Sequence, residues 1–79
     1  MARMSKRETR LLQQIAENIR RSRGILNISQ EELADRAGVH RTYVGMLERA
    51  EKNVTVLSLE KIATALNVPI EELLKKEKS

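Results

Sequence analysis

Residues 30–49, QEELADRAGVHRTYVGMLER, decide the fold of this 79-residue chain. Apolar residues lie at helical spacing on both sides of Gly38, which predicts two short helices joined by a tight turn. Gly38 suits that turn because glycine adopts a positive φ without strain. Ala34 is small at the point where the second helix is expected to cross the first. The residues predicted to fix the angle between the helices are Leu33, Ala37, Val39, Val44 and Leu47.

The caps of these helices support the same reading. Ser29 and Glu32 have the spacing of a capping box, in which each side chain bonds the other residue's main-chain amide. Gly38 ends the first helix, and His40 is placed to cap the second. Two helices arranged in this way are typical of a helix-turn-helix, whose second helix is held out to enter the major groove of DNA.

The residues that precede this stretch predict a long first helix. It is expected to start near Glu8 and to end at Asn27, because asparagine tolerates the left-handed conformation that closes helices. We expect residues 1–9 to form a basic, partly disordered arm, followed by a domain over residues 10–76. The apolar stripe that carries the helix prediction contains Leu11, Leu12, Ile15, Ala16 and Ile19.

The residues that follow the stretch predict two further helices. A polar loop at residues 50–53 separates the motif from a helix over residues 58–66, and Pro69 suits the first turn of a last helix. The sequence therefore predicts an all-α chain that folds as a compact five-helix bundle.

The composition excludes several kinds of site. The chain has no Cys and one His, which excludes disulfides, thiolate zinc sites and histidine-rich metal sites. It has no Ser/His/Asp set and no glycine-rich phosphate loop, so we expect no enzyme activity, metal or cofactor. No apolar run approaches the roughly 20 residues of a membrane span, and the N-terminus does not resemble a secretory signal. We therefore expect a cytoplasmic protein without a membrane partner.

The charge balance narrows the class of partner. Fifteen Lys and Arg against 11 Asp and Glu give a net charge of +4, which favours a polyanion. A single Tyr with no Phe or Trp argues against the stacking platforms that bind RNA or single strands. The preferred partner is therefore double-stranded DNA.

Four phrases, IRRSR, SQEELADRAGV, VGMLERA and LEKIATALNVP, resemble the lambda-repressor-like helix-turn-helix family over residues 15–73. Within that family, HRTYV followed by EKNVT most resembles the small controller proteins of restriction–modification systems. The resemblance implies a homodimeric transcriptional regulator that binds double-stranded DNA at a palindromic operator. Ala50 departs from the glycine that is usual in the family. Because alanine tolerates a left-handed conformation poorly, we expect a different shape for the loop that follows.

Candidate DNA contacts lie in the motif and just beyond it. Arg41 is the main candidate for reading a base, since arginine bonds both O6 and N7 of guanine. Tyr43 is expected to contact the DNA backbone, with a place in the core as the alternative, and His40 is expected to be a helix cap or a phosphate contact. The resemblance implies a phosphate contact for Gln30. The full candidate set is Gln30, His40, Arg41, Thr42, Tyr43, Lys52 and Asn53.

Other residues have expected roles in structure and assembly. The resemblance implies an ion pair between Arg20 and Glu48 that clamps the motif. The C-terminal end carries more apolar surface than a small monomer readily hides, which favours a dimer interface, with core packing as the alternative. The acidic residues of the first motif helix are expected to be an exposed face, or else a contact with RNA polymerase. The predicted dimer residues are Leu66, Val68, Ile70, Leu73 and Leu74.

Two other functions remain open at this point. A phage-type repressor or a DNA-binding antitoxin would share the motif, and its C-terminal surface would then hold a second protein. The motif is also found in protein-interaction modules, which would bind DNA weakly and without sequence preference.

Overall fold

The computed structural model describes residues 4–76 of the chain. Within that range it contains five helices and no strands, which confirms the predicted fold class. No helix among these residues has both the length and the apolar character needed to cross a membrane. The helices are α1 (Lys6–Leu26), α2 (Gln30–Ala37), α3 (Arg41–Glu48), α4 (Val56–Ala65) and α5 (Ile70–Leu74).

Helix α1 begins two residues before the predicted Glu8. Ser5 is its cap: the Ser5 hydroxyl accepts the Glu8 amide at 3.1 Å, and the Ser5 amide donates to the Glu8 carboxylate at 2.7 Å. Apolar periodicity does not report such a polar cap, so it placed the start too late. Residues 6–9 of the expected arm are therefore helical, whereas residues 1–3 lie outside the described residues.

The start of α4 also differs from the prediction, whereas α2 starts where it was predicted. Helix α4 begins at Val56 because the hydroxyl of Thr55 accepts the amide of Ser58 at 3.0 Å and caps an earlier turn. At α2, the Ser29 hydroxyl caps the Glu32 amide as expected, at 3.0 Å. The Glu32 carboxylate bonds Arg36 at 2.9 Å instead of reaching back to Ser29, so only half of the predicted capping box forms.

In the described part of the chain, helices α1 to α4 end in the same kind of turn. A residue with φ between 56° and 70° follows each helix, and the next amide donates to a carbonyl five residues back. The end of α1 at Asn27 is confirmed. Ala50 adopts a φ of 57°, so this alanine takes the left-handed conformation although alanine tolerates it poorly. The four residues are Asn27, Gly38, Ala50 and Asn67.

All five helices contribute to one core. The residues predicted to fix the α2–α3 angle pack there: Val39 is partly buried, and the other four are buried. The short α5 is tied to α1 by Asn18, whose buried amide donates to the carbonyls of Leu73 and Lys75 at 2.9 Å each. The largest fully buried side chains among the described residues are Asn18, Ile19, Leu33, Val44, Ile62, Leu66 and Leu73.

Candidate nucleic-acid interface

Helix α3 has one buried face and one open face. Val44, Leu47 and Glu48 point inward and are buried, whereas Arg41 and Thr42 are exposed. The turn at Gly38 and the apolar contacts with α2 hold the helix in this orientation. A cation and a hydroxyl are therefore presented to solvent at the N-terminal end of α3, where the helix dipole also favours anions.

The residues on either side of Arg41 and Thr42 have different surroundings. His40 is the N-cap of α3, as predicted, but its exposed side chain makes no cap hydrogen bond. Tyr43 is half-buried and packs against the core, so part of its ring serves the alternative role given for it. Both residues lie in or next to the first turn of α3 and retain exposed surface.

Glu48 is the centre of a buried polar network. Its carboxylate accepts hydrogen bonds from Nε and Nη2 of Arg23, at 2.7 and 3.0 Å, and from Nε2 of Gln30, at 3.0 Å. Arg23 also donates through Nη1 to the carbonyl of Ile28 at 3.0 Å. These bonds join α1, the start of α2 and the end of α3, so the network fixes the motif against the rest of the bundle.

The predicted ion pair of Arg20 with Glu48 is wrong, because the arginine that pairs with Glu48 is Arg23. Arg20 donates to the main-chain carbonyl of Glu48, whereas Arg23 binds the carboxylate. The two arginines lie three residues apart on one face of α1, and Arg23 is closer to the α2 cap. Its hydrogen bonds with Glu48 raise the pKa of Arg23, because they favour the charged guanidinium; burial opposes them in part.

Gln30 is less available than its predicted phosphate contact assumed. Its side chain is half-buried and its amide nitrogen is bonded to Glu48. What Gln30 can offer a phosphate most directly is its main-chain amide in the first turn of α2, where amides have no partner within the helix.

Lys52 and Asn53 are exposed in the loop that joins α3 to α4. Asn53 lies beside the start of α1, at a groove that also contains Met4 and Leu11. The structure therefore places this loop next to the N-terminal end of the described chain.

Arg49 is a candidate that the sequence reasoning missed. It is exposed at the end of α3, and its Nη1 lies 3.2 Å from the position a Cβ would take on Gly45. Arg41, Gly45 and Arg49 are spaced four residues apart, so they lie on one side of the helix, where Arg41 and Arg49 are exposed and Gly45 is buried. That spacing was the signal available in the sequence. The Arg49 side chain lies over Gly45, which has no side chain to block it.

The predicted dimer residues separate into two groups. Leu66 and Leu73 are buried in the core, so their assignment to an intersubunit surface was wrong. Leu73 packs inward because the short α5 must bury its apolar side against α1 and α4, and Leu66, at the end of α4, belongs to the same core. Val68 and Ile70 are half-buried and Leu74 is 40% exposed, so these three retain surface.

A groove adjoins this remaining surface. It has a volume of about 230 Å³ and runs between the end of α1 and the α4–α5 turn. Its apolar lining includes the exposed Ile25 and Leu26 together with Val68.

Within residues 4–76, no group of three or more His, Cys, Asp or Glu side chains is placed to hold a metal ion.

Comparison with known proteins adds to this geometry. A family model described as helix-turn-helix matches residues 19–73. The control protein C.SmaI of Serratia marcescens is 49% identical over 63 residues, which are 80% of this chain and 75% of that protein.

Two solved structures resemble the fold. The restriction–modification controller protein C.AhdI from Aeromonas hydrophila superposes with a TM-score of 0.77 and 39% identity, over 78% of this chain and 94% of that one. The controller protein C.Esp1396I, solved as a tetramer with its natural 35 base-pair operator, gives a TM-score of 0.72 and 34% identity. That match covers 82% of this chain and 96% of the other.

Proposed function

The chain belongs to the helix-turn-helix family of DNA-binding transcriptional regulators, and we propose that it is a restriction–modification controller acting as a homodimer on a palindromic operator. The observation that carries this proposal is the open face of α3, where Arg41 and Thr42 are exposed on a helix anchored from behind by Glu48. A recognition helix needs both a fixed position and free side chains.

Each candidate has a proposed role on the duplex. Arg41 reads a guanine from the first turn of α3, and Thr42 and Tyr43 contact the backbone beside it. His40, at the cap of the same helix, is close enough in sequence to add a phosphate contact. Gln30 contributes its main-chain amide at the start of α2.

The loop after α3 supplies the remaining proposed contacts. Lys52 and Asn53 are exposed there and would bind the phosphates that border the major groove. Arg49 adds a further cation on the open face of α3. The relatives are regulators of transcription rather than enzymes, and the proposal needs neither cofactor nor catalytic group.

Dimerisation follows from the reach of one recognition helix. A single helix reads only about 4–5 base pairs, whereas a two-fold pair reads half-sites one helical turn apart. C.Esp1396I forms a tetramer on its operator, which supports assembly in this chain as well. We propose that the subunits meet through Val68, Ile70 and Leu74 and the adjoining groove at the end of α1.

The dimer surface can be tested by sedimentation velocity. Leu74→Asp should shift the protein towards monomer, because it places a carboxylate in an apolar contact. Val56→Asp is the matched control, since Val56 is 75% exposed and apolar but lies at the start of α4. Dissociation by Val56→Asp alone would move the interface to α4 and contradict the proposal.

Two finer assignments accompany the proposal. The acidic residues Glu31 and Asp35 are exposed on α2 and offer a surface for RNA polymerase once the dimer is on DNA. The second assignment is a cytoplasmic location, where the regulator would meet both its operator and RNA polymerase.

The test of the function is selection from a random duplex library at about 150 mM salt, which screens binding to phosphates alone. The expected product is a palindrome with half-sites about 10–11 base pairs apart. Recovery of no common sequence, with binding that disappears as salt is added, would contradict the proposal and favour a protein-interaction module.

A further inference from the structure

A second Glu–Arg pair lies on the open side of α3. The Nε of Arg49 is 3.0 Å from the Oε1 of Glu51, and these side chains are 57% and 55% exposed. The left-handed turn at Ala50 reverses the chain and brings Glu51 back beside Arg49. The pair is therefore built by the turn that ends α3.

The guanidinium of this pair lies close to residues of the proposed DNA-binding face. Helical side chains lean towards the N-terminus of their helix, and Arg49 follows that rule by lying over Gly45. The Oε1 of Gln30, at the start of α2, lies 3.8 Å from the position that a Cβ would take on Gly45. The charge of Arg49 is thus held one turn back along α3, towards Arg41, and Glu51 brings a carboxylate to the same face.

We propose that Glu51 restrains sequence-independent binding of DNA by competing with phosphate for Arg49, an inference that rests on the proposed DNA-binding function. Carboxylate and phosphate oxygens bind a guanidinium in the same way, so only one of them can fully occupy Arg49. Any duplex that uses Arg49 must first displace Glu51. It then brings its own phosphates close to the released carboxylate.

The weakness of an exposed ion pair is what suits this pair to such a role. Solvent-exposed pairs contribute little to folding, so DNA can exchange with Glu51 without destabilising the helix. The restraint acts on all sequences, and its effect is largest where phosphate contacts provide nearly all of the affinity. Binding to unrelated DNA is therefore the measurement that reports it.

The experiment compares the wild-type chain with Glu51→Gln on a duplex of unrelated sequence, from about 50 to 200 mM salt. The variant should bind about three- to fivefold more tightly at the low-salt end, the effect expected from one exposed ion pair. Glu60→Gln makes the same change in net charge on the exposed side of α4 and should change affinity less than about twofold. An equal gain from Glu60→Gln would show a net-charge effect and overturn the proposal.

A double variant shows whether Glu51 acts through Arg49. Arg49→Ala should weaken binding to the unrelated duplex. Adding Glu51→Gln to Arg49→Ala should restore little affinity, because the guanidinium for which Glu51 and phosphate compete is no longer present. A full gain in the Arg49→Ala background would overturn the proposed competition. If Glu51→Gln leaves the affinity for unrelated DNA at the wild-type value, this inference alone is overturned. If the wild-type chain shows no selective binding to an operator, the proposed function is overturned.

Discussion

Two Glu–Arg pairs lie at the end of α3 and differ mainly in their surroundings. Glu48 is 3% exposed and binds Arg23, while Glu51, three residues later, is 55% exposed and binds Arg49. The same chemistry therefore serves two purposes. The buried pair holds the helix in place, and the exposed pair remains free to exchange its partner. Stability and the proposed DNA binding thus depend on different groups at the end of one short helix.

The buried pair matters to stability through the groups its loss would leave behind. Glu48 accepts three side-chain hydrogen bonds, two of them from Arg23 and one from Gln30. Without the carboxylate, a half-buried guanidinium would keep its charge and retain only the Ile28 carbonyl of the acceptors described above. The exposed pair has no such penalty, because water replaces either partner.

The largest expected effect comes from removing Glu48. Glu48→Ala should lower the free energy of unfolding by about 3–5 kcal/mol, since it leaves Arg23 uncompensated. Glu51→Ala, the matched control, should lower it by less than about 1 kcal/mol. Urea denaturation of both variants measures the difference. Equal losses would mean that burial does not separate the two pairs.

The next effect tests the open face. Arg41→Ala should cost about 1–3 kcal/mol of binding free energy at the selected operator, and should leave binding to unrelated duplexes nearly unchanged. Its melting temperature should match that of the wild type, because Arg41 is exposed. Lys61→Ala, a cation removed from the exposed side of α4, is the control. Equal losses on both duplexes would assign Arg41 to the phosphates instead.

The sequence predicted the faces of α3 well because burial there follows a simple rule. Apolar residues at helical spacing must face the core, so the inward positions of Val44 and Leu47 followed from periodicity. The exposed position of Arg41 followed from its place at the start of the second motif helix. The left-handed ends at Asn27 and Gly38 were predicted for a similarly local reason. The contacts of these residues with DNA stay predictions.

The errors in the site residues have a different origin, since these residues make contacts between distant segments. Arg20 and Arg23 are equivalent in type and share one helix face, and only the packed structure shows which of them reaches the Glu48 carboxylate. Leu73 and Leu74 are adjacent and chemically identical, yet one is buried and the other exposed. A five-residue helix is too short for periodicity to assign its faces.

The smallest expected effect concerns Ala50, which connects the two pairs. Its φ of 57° strains an alanine but not a glycine, so Ala50→Gly should stabilise the chain by about 0.5–1 kcal/mol in urea denaturation. Gly38→Ala, at a φ of 70° with free space for a Cβ, should destabilise it by a similar amount for the same reason.

The same Ala50→Gly variant also tests whether the turn matters to binding. Because glycine favours the conformation already present, Glu51 should stay beside Arg49, and affinity for the operator and for unrelated DNA should be unchanged. A variant that gains stability but binds unrelated DNA more tightly would show that the Ala50 side chain itself helps to hold Glu51 in place. The residue at position 50 would then affect both the stability of the chain and its binding to DNA. Only the network around Glu48 would remain a purely structural feature of the end of α3.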